Sequence, residues 1–519
     1  MDGQNLIQRV NVGDSLTRSA FARPAATAVV DGDRRWTYAE FNALVNRLAH
    51  GLLRRGFQPG DALALASGNS AEFLAVYYAC AKIGVVCVPI NLGWRPTEVA
   101  YVLDHSRARG IVVEAELLAA MSEAVADVAA VRDVIVVAGG GERGAVHLDD
   151  VLADDTTEPE VAVADRAPLS YLYTSGTTSF PKGVVGTHLG IYLESMSAAL
   201  DSGWTAGDRF IAMMPMFHTA QLNAFCTPAL LVGAAVHVHR GFDPRRFLDT
   251  IERERITQVF GLPMMYRAAL EHPSFAGRDL SSLKRAVYAM APMPEAQIKA
   301  CLDGFGCDFA LLFGQTEMSP ITTLFRPEHQ LSHVGAVGTP LTGVQVAIMD
   351  SDGKLLPRGE QGEIVYRGPS TMQGYLRNPE ATEAAFAHGW FHSGDVGRFG
   401  EDGVLWFADR YKGVIKTGGE NVASIEVERA VYDAEPRVAE VVVVGLPHER
   451  WSEAITAVVV PKPGETIDPD ALTAALKERL DGYKVPKSVI VVDELPRTST
   501  GKIQKNVVRE THADHYGGR

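Results

Sequence analysis

The sequence predicts an α/β protein: a large N-terminal domain of layered sheets and helices with a β-rich subdomain, followed by a small α+β C-terminal domain. Three observations predict it. Strand-length apolar runs alternate with amphipathic helical stretches from residue 37 to about 137 and again from 188 to about 312. From Val334 to Phe407 the texture changes to short strands and glycine turns such as Asp352-Gly353 and Glu401-Asp402-Gly403. Beyond Arg410 a compact unit follows, and 519 residues are too many for one core.

Taken in order, Thr37-Tyr-Ala-Glu40 is a capping box, and Phe41, Leu44, Val45, Leu48 and Leu52 repeat at helical spacing up to Gly56. Ala62 to Ala66 reads as a strand, about Ala71 to Ile83 as a helix, and Val85 to Val88 as a buried apolar run. Helices are expected near 96–104 and 115–130, with strands near 110–113 and 133–137. Gly139-x-Gly141-x-x-Gly144 matches a dinucleotide fingerprint, but no helix opens after it and no acidic residue stands at the required distance, so it reads as a flexible loop. Further strands are expected at 208–213, 235–239, 257–260, 284–289 and 308–312. The last unit reads as helix 424–434, strands 439–444 and 454–460, helix 468–481 and strand 488–492. The domains divide as 1–409 and 410–519. The final residues through Tyr516 to Arg519 look frayed.

A net charge of −14 gives no mean attraction for nucleic acid or for an anionic membrane. No signal peptide and no membrane-length apolar run is evident, which points to a soluble cytoplasmic protein. Five scattered cysteines, without a Cys-x-x-Cys pair, read as buried free thiols rather than a zinc or disulfide framework. His237 and His239 alternate along a strand and read as one sheet face.

Tyr173-Thr-Ser-Gly-Thr-Thr-Ser-Phe-Pro-Lys-Gly183 packs five serines and threonines and two glycines into eleven positions. Hydroxyls, free backbone amides and one ammonium suit a polyphosphate, although a hydroxyl-rich surface turn reads the same. Pro181 before Lys182 excludes a Walker loop. Phe313-Gly-Gln-Thr-Glu317 follows a strand, where a carboxylate is well placed to hold Mg²⁺. Ser393-Gly-Asp395, Arg410 and Pro496-Arg-Thr-Ser-Thr-Gly-Lys502 are, by themselves, ordinary turn and surface residues.

Together these strings resemble, in order, the motifs of the adenylate-forming superfamily, which contains acyl-CoA synthetases, peptide-synthetase adenylation domains and luciferases. Thr174, Ser175, Gly176, Thr177, Thr178, Pro181, Lys182 and Gly183 match its phosphate loop. The resemblance implies Glu317 for the metal, Thr316 for the α-phosphate, Phe313 near adenine, and Asp395 and Arg410 for the ribose. Lys502 is implied as the ammonium between acyl carboxylate and α-phosphate. It further implies Lys412 as the hinge of a mobile small domain, and Lys416, Gly418, Gly419 and Glu420 on the coenzyme A path. His218 is implied to face the acyl carboxylate. Gln221, Met264, Tyr288, Met290 and Met318 join it as acyl-pocket candidates.

Three departures stand out: Ser179, Ala289-Met290 and Ser452 occupy positions that are glycine in the pattern. Glycine at such sites answers to positive φ or to a close ligand. The expected activity is an acyl-CoA synthetase that joins a hydrophobic monocarboxylic acid to coenzyme A through an acyl adenylate, using MgATP. The alternatives are a half-enzyme that only thioesterifies a preformed acyl-AMP and a nucleotide-responsive binding protein. Its partners are the small acid, ATP and coenzyme A, and a homodimer is carried as a candidate assembly.

Overall fold

The computed structural model describes residues 2–126, 128–137, 145–174, 181–289, 293–410, 415–417, 420–498 and 501–517. A seven-stranded sheet runs in the order 146–147, 133–137, 108–114, 62–66, 86–89, 168–174 and 182–187. Its strands are parallel except for the closing hairpin Pro168–Thr174 with Lys182–Thr187. Ala62–Ala66 and Val86–Pro89 are buried along their whole length, as a parallel sheet covered on both faces requires.

Helix Ala71–Ile83 forms with the predicted bounds. Ser70 caps its first turn, and Gly84, at φ 69°, closes it in the left-handed conformation. It is buried on nearly every side because it lies between the two large sheets, touching strands of both. Lys82, at its C-terminal end, is drawn into the core, where its ammonium meets Glu158, Asn42, Asn46 and Thr17. The capping box at Thr37 and Glu40 is present at the head of helix Tyr38–Arg54. The helix expected over 115–130 is shorter, Leu118–Ala126.

A second sheet of fourteen strands carries the parallel run Arg209–Ala212, Ala235–Val238, Gln258–Gly261, Arg285–Tyr288 and Asp308–Gly314. The β-rich part does not stand apart from it. Antiparallel strands Ile321–Phe325 and Ala336–Pro340 lead the ladder on to Leu405–Arg410, so the two textures share one sheet. At the opposite edge sits the hairpin Thr27–Asp31 with Arg34–Thr37, too short to register as a periodic pattern. His237 and His239 do fall on one buried face, His239 bonding Thr250 at 3.1 Å.

The small C-terminal domain has its own five-stranded sheet, built on the hairpin Val438–His448 with Ser452–Pro461. Helices Ser424–Ala434, Pro469–Lys477 and Lys505–Thr511 accompany it. The domain is docked on the large one: Arg267 donates to the Ala439 carbonyl at 3.1 Å and Arg429 to the Gly335 carbonyl at 2.7 Å. The chain end is not frayed up to Gly517. Tyr516 bonds Thr456 at 2.9 Å and packs its ring on His448, so an aromatic side chain ties down a segment whose composition suggested none. No described helix is long and apolar enough to cross a membrane.

One departure has a visible cost. Ser452 sits at φ 66°, where a side chain crowds its own backbone. Left-handed geometry costs a non-glycine residue about 1–2 kcal/mol, and glycine returns about 0.4–1 kcal/mol of that through the unfolded chain. Ser452→Gly is therefore expected to stabilise the small domain by about 0.5 kcal/mol in denaturant unfolding; a loss of stability would show the serine hydroxyl to be holding the turn.

Candidate active site

The cleft is built from loops at the ends of both large sheets, closed by the small domain. The phosphate-loop string is the tip of the hairpin that closes the seven-stranded sheet, where Thr174 and Lys182 are paired across the ladder. Ser175, Gly176, Thr177, Thr178 and Ser179 lie outside the described residues, as do Met290, Lys412, Gly418, Gly419 and the Gly139–Gly144 string.

The return arm of that hairpin is tied to the Glu317 turn by residues 372–376. Gln373 and Leu376 donate to the carbonyls of Val185 and Gly183, and Val185 donates to the Gly374 carbonyl. Met372 donates to the Glu317 carbonyl at 2.7 Å. Through this seam Tyr375 reaches both motifs. Its hydroxyl donates to Glu317 Oε1 at 2.9 Å, and Lys182 Nζ stands 5.0 Å from its ring centre. Sequence reasoning missed Tyr375, since nothing in Gly-Tyr-Leu spacing announces a link between two distant loops.

Thr316, Glu317 and Met318 form a single 3₁₀ turn after strand Asp308–Gly314. Gly314 is required there, because a Cβ would lie 2.0 Å from the Pro320 carbonyl oxygen. Phe313, one residue earlier, packs against Phe407 with ring centres 5.2 Å apart.

Asp395 and Arg410 are cross-strand partners on adjacent antiparallel strands, and the register itself sets Arg410 Nε 2.9 Å from Asp395 Oδ1. Burial raises the Asp395 carboxyl above its ordinary range, against the pull of the Arg410 and Lys502 charges. Asp409 beside it accepts from Ser424 N at 2.6 Å and Ser424 Oγ at 2.7 Å, a contact between the last strand of the large sheet and the first helix of the small domain.

Lys502 comes from the small domain. The turn that carries it is closed by Thr498 N to the Lys502 carbonyl at 2.8 Å and braced by Arg497, which bonds the Gly501 carbonyl and Glu440. A Cβ built on Gly501 would lie 2.6 Å from Leu262 Cδ1 of the large domain, so the turn packs close against that domain and has no room for a side chain there. The Lys502 side chain stays exposed, yet partial desolvation and the Arg410 charge pull its ammonium down to about 8, with Asp395 opposing.

His218 is close enough to feel Lys502. Burial first, and that charge second, bring its imidazole down to about 4, so it is neutral at neutral pH. Its Nδ1 accepts from the Ala220 amide at 3.2 Å, which leaves the proton on Nε2 as a donor. The loop bearing His218 is held by Asn69, which donates to the Met214 and His239 carbonyls at 2.8 and 3.0 Å and accepts from Met216 N at 2.8 Å. A buried asparagine in Gly-Asn-Ser gives no sequence signal for that role.

The remaining candidates divide. Met318 is fully buried, while Gln221 spends its amide on Met214 N and Cys226 Sγ and Tyr288 gives its hydroxyl to Gln330. Met264 is 39 % exposed, more open than a pocket wall would leave it. Lys416 and Glu420 are exposed on the hairpin Ile415–Thr417 with Glu420–Val422.

Residues 16–376 match the profile of the AMP-binding enzymes, and residues 426–502 that family's C-terminal domain. This chain belongs to the AMP-binding enzyme family. It is similar to a feruloyl-CoA synthase of Amycolatopsis sp., 39% identical over 96% of this chain and 98% of that one. Among solved structures, ATP-bound MatB from Rhodopseudomonas palustris matches with TM-score 0.90 at 30% identity, covering 98% of this chain and all (100%) of that one. The anthranilate CoA ligase AuaEII with anthranoyl-AMP matches at 0.88 and 28% identity, covering 96% and 97%. Apo MatB from Rhodopseudomonas palustris matches with TM-score 0.79 at 30% identity, covering 98% of this chain and all (100%) of that one. The chain is thus an adenylate-forming acid–thiol ligase in architecture and family.

Removing Asn69 tests how the cleft wall is held. Asn69→Ala leaves two carbonyls and one amide buried without partners, at about 1–3 kcal/mol. Unfolding is expected to show a loss of about 2 kcal/mol, and the KM for the carboxylic acid to rise more than the KM for ATP; equal rises would detach Asn69 from the acid's side of the cleft.

Proposed function

We propose that this ligase activates a hydrophobic monocarboxylic acid with MgATP to an acyl adenylate and passes the acyl group to coenzyme A. The observation that carries the reading is the Asp395–Arg410 pair, 2.9 Å apart on adjacent strands, with the small domain's Lys502 near enough for its charge to act on Asp395 and His218. In the first half-reaction a carboxylate oxygen attacks the α-phosphorus and pyrophosphate leaves. Lys502 offsets the negative charge that gathers on the phosphoryl and acyl oxygens, and the His218 Nε2 proton orients the carboxylate. Asp395 accepts from the ribose hydroxyls with Arg410 beside it, Phe313 and Phe407 give adenine an apolar face, and Thr316 and Lys182 hold phosphate oxygens.

Glu317 suits a magnesium ion. Tyr375 fixes one of its oxygens and leaves the other for the cation, and Mg²⁺ takes few carboxylates alongside phosphate and water. Bound there, Mg²⁺ would neutralise phosphate charge. In the second half-reaction the small domain rotates about Lys412, withdrawing Lys502 and bringing the hairpin with Lys416 and Glu420 to the coenzyme A path. The thiol sulfur then bonds the acyl carbon and AMP leaves. A cytoplasmic setting belongs to this reading, because cysteines Cys80, Cys87, Cys226 and Cys301 are buried free thiols.

Carboxylate-dependent exchange of pyrophosphate into ATP tests the first half-reaction. Lys502→Ala is expected to lower it about 10²–10³-fold. In the wild type, kcat/KM should fall as pH rises through about 8, since the free enzyme loses the Lys502 ammonium there, and the fall should be absent from the variant. Exchange at the wild-type rate in Lys502→Ala would remove the role. No exchange with any acid, together with rapid thioester formation from a synthetic adenylate, would reassign the chain to thioesterification alone.

A further inference from the structure

Glu194 is a buried acid that the proposed reaction does not use. It lies on the core face of helix His188–Asp201 beside Ile191, Ser195 and Ala198 and is 1 % exposed. Neither carboxyl oxygen completes a hydrogen bond within the described residues. Burial pushes the carboxyl well above the ordinary range, against the backbone amide of Ile321 turned towards it. It is therefore a neutral acid, able both to donate and to accept.

Its position relates it to the acid's side of the cleft. Ile321 opens the strand just beyond the turn of Thr316, Glu317 and Met318. On its other side the helix packs on the π-helical turn Leu222–Cys226, which follows His218 and Gln221 directly. Such turns gather at functional sites. Ser195 Oγ and Thr227 Oγ1, 2.7 Å apart, pin the helix to the end of that turn. Tyr77 donates to Asn223 at 3.0 Å, and Asn223 donates to Thr219, next to His218, at 3.0 Å. These neighbouring polar groups satisfy one another and leave the acid out. Native interiors seldom leave a buried polar group unanswered without a purpose.

We propose that Glu194 is a specificity residue at the far end of the acyl pocket, hydrogen-bonding a hydroxyl on the substrate remote from its carboxylate. The inference rests on the ligase reading above. A hydroxyl complements both capacities of a neutral acid. A second carboxylate would find no cation beside Glu194 among the described residues, and a plain alkyl end would leave the acid unpaired. A site built to bond a hydroxyl rejects the analogue without it far more strongly than an apolar pocket rejects a size change.

The test uses matched pairs, cinnamate with 4-hydroxycinnamate and decanoate with 10-hydroxydecanoate, and their non-hydrolysable acyl-adenylate analogues. The wild type is expected to favour the hydroxylated member of at least one pair at least tenfold in kcat/KM and in calorimetric affinity. Glu194→Leu should abolish or reverse that preference with its melting temperature undiminished, and Glu194→Gln should keep part of it. A hydroxyl preference that is absent from the wild type, or equal in wild type and Glu194→Leu, overturns the proposal. If the wild type binds no adenylate analogue, the ligase reading itself fails and the subsite falls with it; analogue binding without hydroxyl discrimination removes the subsite alone.

Discussion

The cleft depends on an ammonium that the protein does not neutralise by itself. Lys502 is carried in by a braced turn with its side chain still exposed, yet it gives up part of its hydration to the surrounding protein and feels Arg410 as well as Asp395. Asp395 is already engaged with Arg410 at 2.9 Å, so the carboxylate nearest to hand is shared. Taking a charge out of water is repaid only by good partners. In the proposed reaction the phosphate and carboxylate of the substrates would be such partners, and the closed arrangement would be coupled to their arrival. His218 stays neutral chiefly because it is buried, and the Lys502 charge acts in the same direction.

Around that ammonium, geometry comes from long-range seams rather than from the motifs themselves. Strands placed in register put Asp395 opposite Arg410, and residues 372–376 tie the phosphate hairpin to the Glu317 turn. Asn69 clamps the loop of His218 to strands far away in sequence. Each motif supplies chemistry, and each seam fixes the distance at which it acts. Positioning within fractions of an ångström is worth more to rate than any added functional group at a loose distance.

What was legible in the sequence follows from this division. Local signals were read well: the capping box at Thr37, helix Ala71–Ile83 and helix Ser424–Ala434 carry their causes within a few residues. Non-local features were not. The β-rich part reads as a separate body because its turns are local, whereas its continuity with the parallel sheet depends on Ala336–Pro340 pairing with Leu405–Arg410 some seventy residues on. Tyr375, Asp409 and Asn69 act through partners more than ten residues distant, and no spacing rule reaches them. Ser452 is the instructive intermediate: the letter out of place pointed to a positive φ, and the backbone has it.

In the proposed reaction the two half-reactions would place opposite demands on the join between domains. Asp409 grips Ser424 across the segment that carries Lys412, and Ser424 is also held by Lys505, which pairs with Glu428 at 2.9 Å. This cluster is buried or half-buried, so its bonds are stronger than surface pairs, yet rotation of the small domain about a hinge inside that span has to loosen some of them. The cluster therefore favours the arrangement in which Lys502 is seated. In the proposed reaction, loss of pyrophosphate would remove part of the anionic charge facing Lys502 and weaken the balance that holds the ammonium in place, so the departing product would itself favour opening at the step that needs it.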